Sequence, residues 1–147
     1  MQKAIHQTWF FERTPIEVWA YLTDAALLEQ WLMKNDFKPE VGHKFSFQSI
    51  RGKDCETGGI SYCEVQEVTP YSRLSYSWRT QALGDGQYYD SMVTWTLSPT
   101  AKGTKLELLH DGFVAAADRD GHDHGWSLFG TKFVELLNTK ANDHVHA

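Results

Sequence analysis

Apolar and polar positions change their period three times along the chain. Residues 3–12 (KAIHQTWFFE) read as an opening strand, because Ile5, Thr8, Trp9, Phe10 and Phe11 favour a pleated surface. Thr14-Pro15-Ile16-Glu17 follows. Thr14 can cap a helix, Pro15 suits its first position, and Glu17 completes a capping box. This predicts a short helix to about Tyr21 that buries Val18 and Leu22. Asp24 can cap a second, with Leu27, Leu28, Trp31 and Leu32 on helical spacing. The two helices join at an elbow near Thr23-Asp24.

From Val41 the period becomes two. Phe45 and Phe47 alternate with Lys44, Ser46 and Gln48. Residues 58–68 (GGISYCEVQEV) form the next expected strand, and Thr69-Pro70-Tyr71-Ser72 stops it. Leu74, Tyr76 and Trp78 alternate with polar neighbours, as do Tyr89, Val93, Trp95 and Leu97, and then Leu106, Leu108 and His110. Arg51-Gly52-Lys53, Gly84-Asp85-Gly86 and Lys102-Gly103 supply turn chemistry between them. The polar stretch 118–125 comes next. After it Trp126, Phe129, Phe133 and Leu137 return to helical spacing, widened by Gly130 and Leu136, which predicts a long helix over about 121–138.

The strands in series are separated by turns too short for crossover helices, so they form an antiparallel meander. Its apolar face needs a cover, and only the C-terminal helix is long enough to provide one. The expected fold is α+β. One curved antiparallel sheet of about six strands wraps around a long C-terminal helix, with two short helices after the first strand. Glycines 58, 59 and 112 offer places where the sheet can bulge and curl.

Composition narrows the function classes. A chain of 147 residues, 41% hydrophobic and 14% aromatic, fits one domain over 1–147 with an ample core. No apolar run approaches the roughly 20 residues of a membrane span. The opening MQKAIHQTWFFERTP lacks the continuous apolar core of a signal peptide, so a cytoplasmic location is expected. Net charge is −5, from 14 basic and 19 acidic residues. Arg13, Lys34, Lys53, Arg79 and Lys105 form no cluster along the sequence, which argues against nucleic acid as a partner. Cys55 and Cys63 are too few for a disulfide framework and are expected to be reduced thiols.

The motifs then point to a family. Glu17-Val18-Trp19, Leu22-Thr23-Asp24 and Glu29-Gln30-Trp31 resemble the first-helix signature of the activator of Hsp-90 ATPase homologue-like family. Val41-Gly42-His43-Lys44-Phe45, Arg73-Leu74-Ser75-Tyr76-Ser77-Trp78, Val93-Thr94-Trp95-Thr96-Leu97, Gly103-Thr104-Lys105-Leu106 and His110-Asp111-Gly112-Phe113 are similar to further family motifs. His124-Gly125-Trp126 resembles the entry to the last helix. This family lies in the START-like helix-grip superfamily (SRPBCC, birch-pollen-allergen type), and the resemblance runs from about Ile5 to Leu137. His43 departs from it, since the family usually has a second glycine there. The resemblance implies a pocket between sheet and helix.

Nine residues are candidates to line that pocket: Trp31, Tyr76, Trp78, Trp95, His110, Phe113, Trp126, Phe129 and Phe133. Ligand pockets are mostly apolar with a few placed polar groups. His110 shares a strand face with Leu106 and Leu108 and is such a group, although a hydrogen-bonded core histidine would look the same in sequence. Asp118, Asp120, His122, Asp123 and His124, with His144 and His146 at the tail, look ligand-like. Their His-x-His lies in an expected loop without cysteines, so no metal and no cofactor is expected. No GxSxG, HExxH or P-loop occurs, and Ser91 and Ser127 lack an evident base. The expected function is non-enzymatic binding of an apolar or aromatic small molecule. The alternatives are a cochaperone-type interaction module, for which the sequence itself supplies no chaperone-binding feature, and an enzyme acting on a bound hydrophobic substrate. A cavity above about 300 Å³ would favour the binding reading.

Overall fold

The computed structural model describes residues 2–48, 60–81 and 87–146, with side chains through Asn138. The turns expected at 51–53 and 84–86, Gly58, Gly59 and Cys55 lie outside the described residues.

Strand β1 (Ile5–Phe11) leads into α1 (Pro15–Thr23) and α2 (Ala25–Trp31). The capping box forms: Thr14 Oγ1 accepts from the Glu17 N–H at 3.2 Å, and Glu17 accepts back from the Thr14 N–H at 3.3 Å. Asp24 closes α1 and opens α2, its carboxylate accepting from the Leu27 N–H at 3.1 Å. Then come β2 (Lys34–Asn35), β3 (Lys44–Gln48), β4 (Ile60–Thr69), β5 (Arg73–Gln81), β6 (Tyr88–Pro99), β7 (Thr104–Asp111) and α3 (Ala116–His146).

The strands form one antiparallel sheet in the order β1-β7-β6-β5-β4-β3-β2. It has seven strands where about six were expected. The extra one, β2, pairs Lys34 with Gln48 and Asn35 with Phe47. Two residues are too few to show an alternation, and the strand is held from outside the sheet. The Asn35 amide donates to the Ala25 and Met33 carbonyls while its oxygen accepts from the Phe37 N–H. The ladder between β4 and β5 shifts register between Val65 and Glu67, a bulge that adds curl. Gly112 has φ +108°, and a Cβ there would come within 3.1 Å of the Ser91 backbone.

Helix α3 begins at Ala116, five residues before the expected start at 121, and continues to His146. Ala116 and Ala117 favour helix, and Asp118 in the first turn suits its dipole. Residues 118–120 are therefore helical too, and His122-Asp123-His124 lies on the helix, which corrects its placement in a loop. Polar residues hide a helix from an apolar-period reading without preventing it.

The inner face of β1 runs alongside α3 in matching steps. Gln7 Nε2 donates to Asp123 Oδ1 at 2.7 Å and to Ser127 Oγ at 3.1 Å. Trp9 lies on Gly130, Phe11 packs on Phe133 with ring centroids 4.7 Å apart, and Arg13 donates to the Leu137 carbonyl. Two strand residues advance nearly as far as one helical turn, so this pairing keeps step. It secures the helix in the concave face of the sheet.

Gly130 is buried, and any Cβ there would overlap the Trp9 indole; a Cβ at Gly125 meets nothing within 4 Å. Glycine-to-alanine in a helix normally gains up to about 1 kcal/mol. Gly125→Ala is expected to raise the melting temperature by that account. Gly130→Ala is expected to lower it, because displacing Trp9 costs about 1–3 kcal/mol. Thermal unfolding of the two variants checks the opposite signs.

Candidate ligand site between sheet and helix

Eight of the nine sequence-predicted residues are buried and Phe129 is partly buried against the core; the buried ones divide into three groups. Tyr76 belongs with Phe45 and Phe47, at 5.3 and 6.0 Å. Trp31 stacks on Phe133 at 4.2 Å and 11°. Trp78, His110, Phe113 and Trp126 cluster where β5, β6 and β7 meet the first turns of α3. Trp95 joins the groups, 6.0 Å from Trp31 and 5.5 Å from Trp126, with its indole N–H donated to the Tyr76 hydroxyl at 2.8 Å. Burial pushes the Tyr76 phenol well above its usual range, so it stays neutral. Phe129 is only half-buried and reaches Trp126 at 6.3 Å.

The third group holds a buried polar network whose proton positions follow from one fact: an indole N–H can only donate. Trp126 Nε1 donates to His110 Nδ1 at 2.9 Å. The proton of the neutral His110 ring is therefore on Nε2, which donates to Ser91 Oγ at 2.8 Å. Ser91 in turn donates to the Trp78 carbonyl at 3.1 Å. A second chain runs beside it. Trp78 Nε1 donates to His122 Nε2 at 3.2 Å, and His122 Nδ1 donates to the Asp118 carbonyl at 2.8 Å.

Both imidazoles are held neutral. Burial drives His110 well below the usual histidine range, and neighbouring His122 adds to this. Burial also lowers His122, against the opposing pull of the Asp118 carbonyl.

Three members of this network, Ser91, His122 and Asp118, were weighed in the sequence for other roles and not among the expected pocket residues. Ser91 has His110 at 2.8 Å, which corrects the expectation that no base lies near it. Its place in the inward phase of Val93 and Trp95 was the available signal. His122 and Asp118 sit one and two turns before Trp126, on the same helix face, a signal hidden while the segment was read as a loop.

The proximity of Ser91 and His110 does not make a nucleophile. His110 gives its proton to Ser91 and cannot take one from it in this tautomer. Burial also pushes the Cys63 thiol far up, with Asp36 adding to it, so the thiolate is disfavoured. Among the described residues no group of three or more His, Cys, Asp or Glu side chains is placed to hold a metal ion.

The interior at this point is closed. The crevice that reaches it from the surface, past Thr80, Tyr89, Ser91, Phe113 and Asp118, holds about 10 Å³. That is close to the space of one water and far below the roughly 300 Å³ that would favour the binding reading.

Over residues 3–138 the sequence matches the model of the family described as activator of Hsp90 ATPase homolog 1-like protein. The chain belongs to this family. Among solved structures, protein MLL2253 from Mesorhizobium loti is 35% identical with a TM-score of 0.83, covering 93% of this chain and 98% of that one. The AHSA1 protein of Silicibacter pomeroyi is 19% identical with a TM-score of 0.78, covering 94% and 99%. The Aha1 dimer from Colwellia psychrerythraea is 16% identical with a TM-score of 0.71, covering 92% and 96%. The last two likenesses speak to the fold alone. No curated protein matches the chain. The family fold is one that binds ligands or proteins, and no described helix is long and apolar enough to cross a membrane.

Proposed function

We propose that this chain is a non-catalytic binding protein that takes an apolar or aromatic small molecule between the concave sheet face and α3, against Trp78, Trp95, Phe113 and Trp126. The observation that carries this reading is the polar network set among those rings at the inner end of a surface crevice. Apolar walls desolvate a guest, and a few fixed polar groups orient it. His110 and Tyr76 are the orienting groups. The His110 tautomer supports binding over catalysis, since it leaves Ser91 unactivated. Because the crevice holds only about 10 Å³, the guest enters by displacing side chains.

The neutral fluorophore N-phenyl-1-naphthylamine tests this. Its emission is expected to rise on titration, saturating at one per chain in the micromolar range. His110→Gln is expected to weaken uptake while shifting the melting temperature by only a few degrees. A folded protein that takes up no fluorophore overturns the reading. The alternative is then a protein-docking module. A separate observation favours that alternative: an open depression of about 590 Å³ at the far end of β1, formed by Phe10, Glu12, Ala101, Lys102 and Asn138.

A further inference from the structure

We infer that the guest is a neutral aromatic molecule bearing a hydroxyl group, a phenol in class. This rests on the reading that the interior takes an aromatic guest. It adds which chemistry that guest must carry.

Each of the two indole–imidazole hydrogen bonds crosses the gap between sheet and helix. Trp126 on α3 donates to His110 on β7, and Trp78 on β5 donates to His122 on α3. The four rings are packed together: Trp78 and Trp126 lie 5.4 Å apart, and so do His110 and His122. With only about 10 Å³ available, a ring-sized guest separates the first turns of α3 from the sheet. That one movement breaks both bonds. Each wall then presents one donor and one acceptor. The sheet offers the Trp78 N–H and His110 Nδ1; the helix offers the Trp126 N–H and His122 Nε2.

Buried polar groups left without partners are costly. A guest that restores them must both give and accept hydrogen bonds. A hydroxyl is the smallest group that does both. An ether accepts only. A carboxylate also accepts only, and it brings a charge into an apolar site where both histidines are neutral. The aromatic ring replaces the indole contacts, and the hydroxyl gives its one proton to His110 Nδ1, the more deeply buried acceptor, and accepts from the indole N–H groups.

Calorimetric titration of the full chain at neutral pH with 2-naphthol, 2-methoxynaphthalene and 2-naphthoate separates the possibilities. The naphthol is expected to bind at least about tenfold more tightly than either analogue. His110→Phe removes the sheet's acceptor and is expected to bring the naphthol-to-ether ratio towards one. If His110→Phe fails to fold by circular dichroism, His110→Leu removes the same acceptor and carries the same expectation. Equal binding of naphthol and ether, or tightest binding of naphthoate, overturns this inference and leaves the binding reading standing. An unchanged ratio in the folded variants overturns it as well. If none of the three binds, the binding reading falls and takes the inference with it.

Discussion

Replacing Phe133 by alanine is expected to lower the free energy of unfolding by about 3–5 kcal/mol, the range for a large aromatic lost from a close-packed core. Phe133 is 1% exposed. It stacks on Trp31 at 4.2 Å, packs on Phe11 at 4.7 Å and reaches Tyr21 at 6.0 Å. These partners come from α2, β1 and α1, so the cavity left behind would open where three elements meet α3. Rings already in tight contact cannot collapse into such a space without leaving their rotamers. Phe129 is the natural comparison, one helical turn earlier on the same helix. It is half-buried, and its one aromatic contact among the described residues is with Trp126 at 6.3 Å, so Phe129→Ala is expected to cost less than about 1.5 kcal/mol. Urea denaturation of the two variants measures the difference. Equal losses would show that the helix is not anchored at Trp31 and Phe133.

Stability is expected to fall as pH drops below about 6.5, the range in which an unfolded histidine takes up a proton. His110 sits well below that value in the folded protein, and His122 is lowered as well. Above pH 6.5 both residues are neutral in both states and contribute no slope. Below it the unfolded chain binds protons that the folded chain refuses, so the folded state loses ground. The slope is about 1.4 kcal/mol per pH unit for each histidine kept fully neutral. The structural reason is specific: a protonated His110 has no lone pair on Nδ1 to accept the Trp126 N–H. Glu17, lowered by Arg13 and Thr14 against the upward push of burial, adds its own acid sensitivity at lower pH, in the carboxylate range. Urea midpoints from pH 5 to 8 give the slope. His110→Gln is expected to flatten it between pH 5 and 6.5, and an unchanged slope in that variant would place the acid sensitivity elsewhere.

The elements of this fold were legible because their signals are local. Thr14, Pro15 and Glu17 start α1 through side chains that bond their own backbone, and Asp24 does the same for α2. The alternation of Leu74, Tyr76 and Trp78, and of Val93, Trp95 and Leu97, states which strand face is buried. Short turns between such strands leave only an antiparallel meander, and a meander with one apolar face requires the last helix as its cover. The family could be recognised for the same reason, since its motifs sit at these element starts and strand faces. β2 and the first turns of α3 were not legible. A two-residue strand carries no period, and a polar helical turn looks like a loop until something packs against it.

The candidate site divides along the same line. That Trp78, Trp95, His110 and Trp126 face one interior follows from period alone. What His110 does there does not. Its tautomer is set by an indole sixteen residues away, its proton goes to a serine nineteen residues away, and both lie on other elements. His122 reaches Trp78 across forty-four residues. Hydrogen bonds act over about 3 Å and depend on angle, so they exist only once sheet and helix are docked. The closing of the interior is likewise a property of packing. The residue types are enough to build aromatic walls, but only their interlocking rotamers determine that the walls touch and leave a crevice of about 10 Å³.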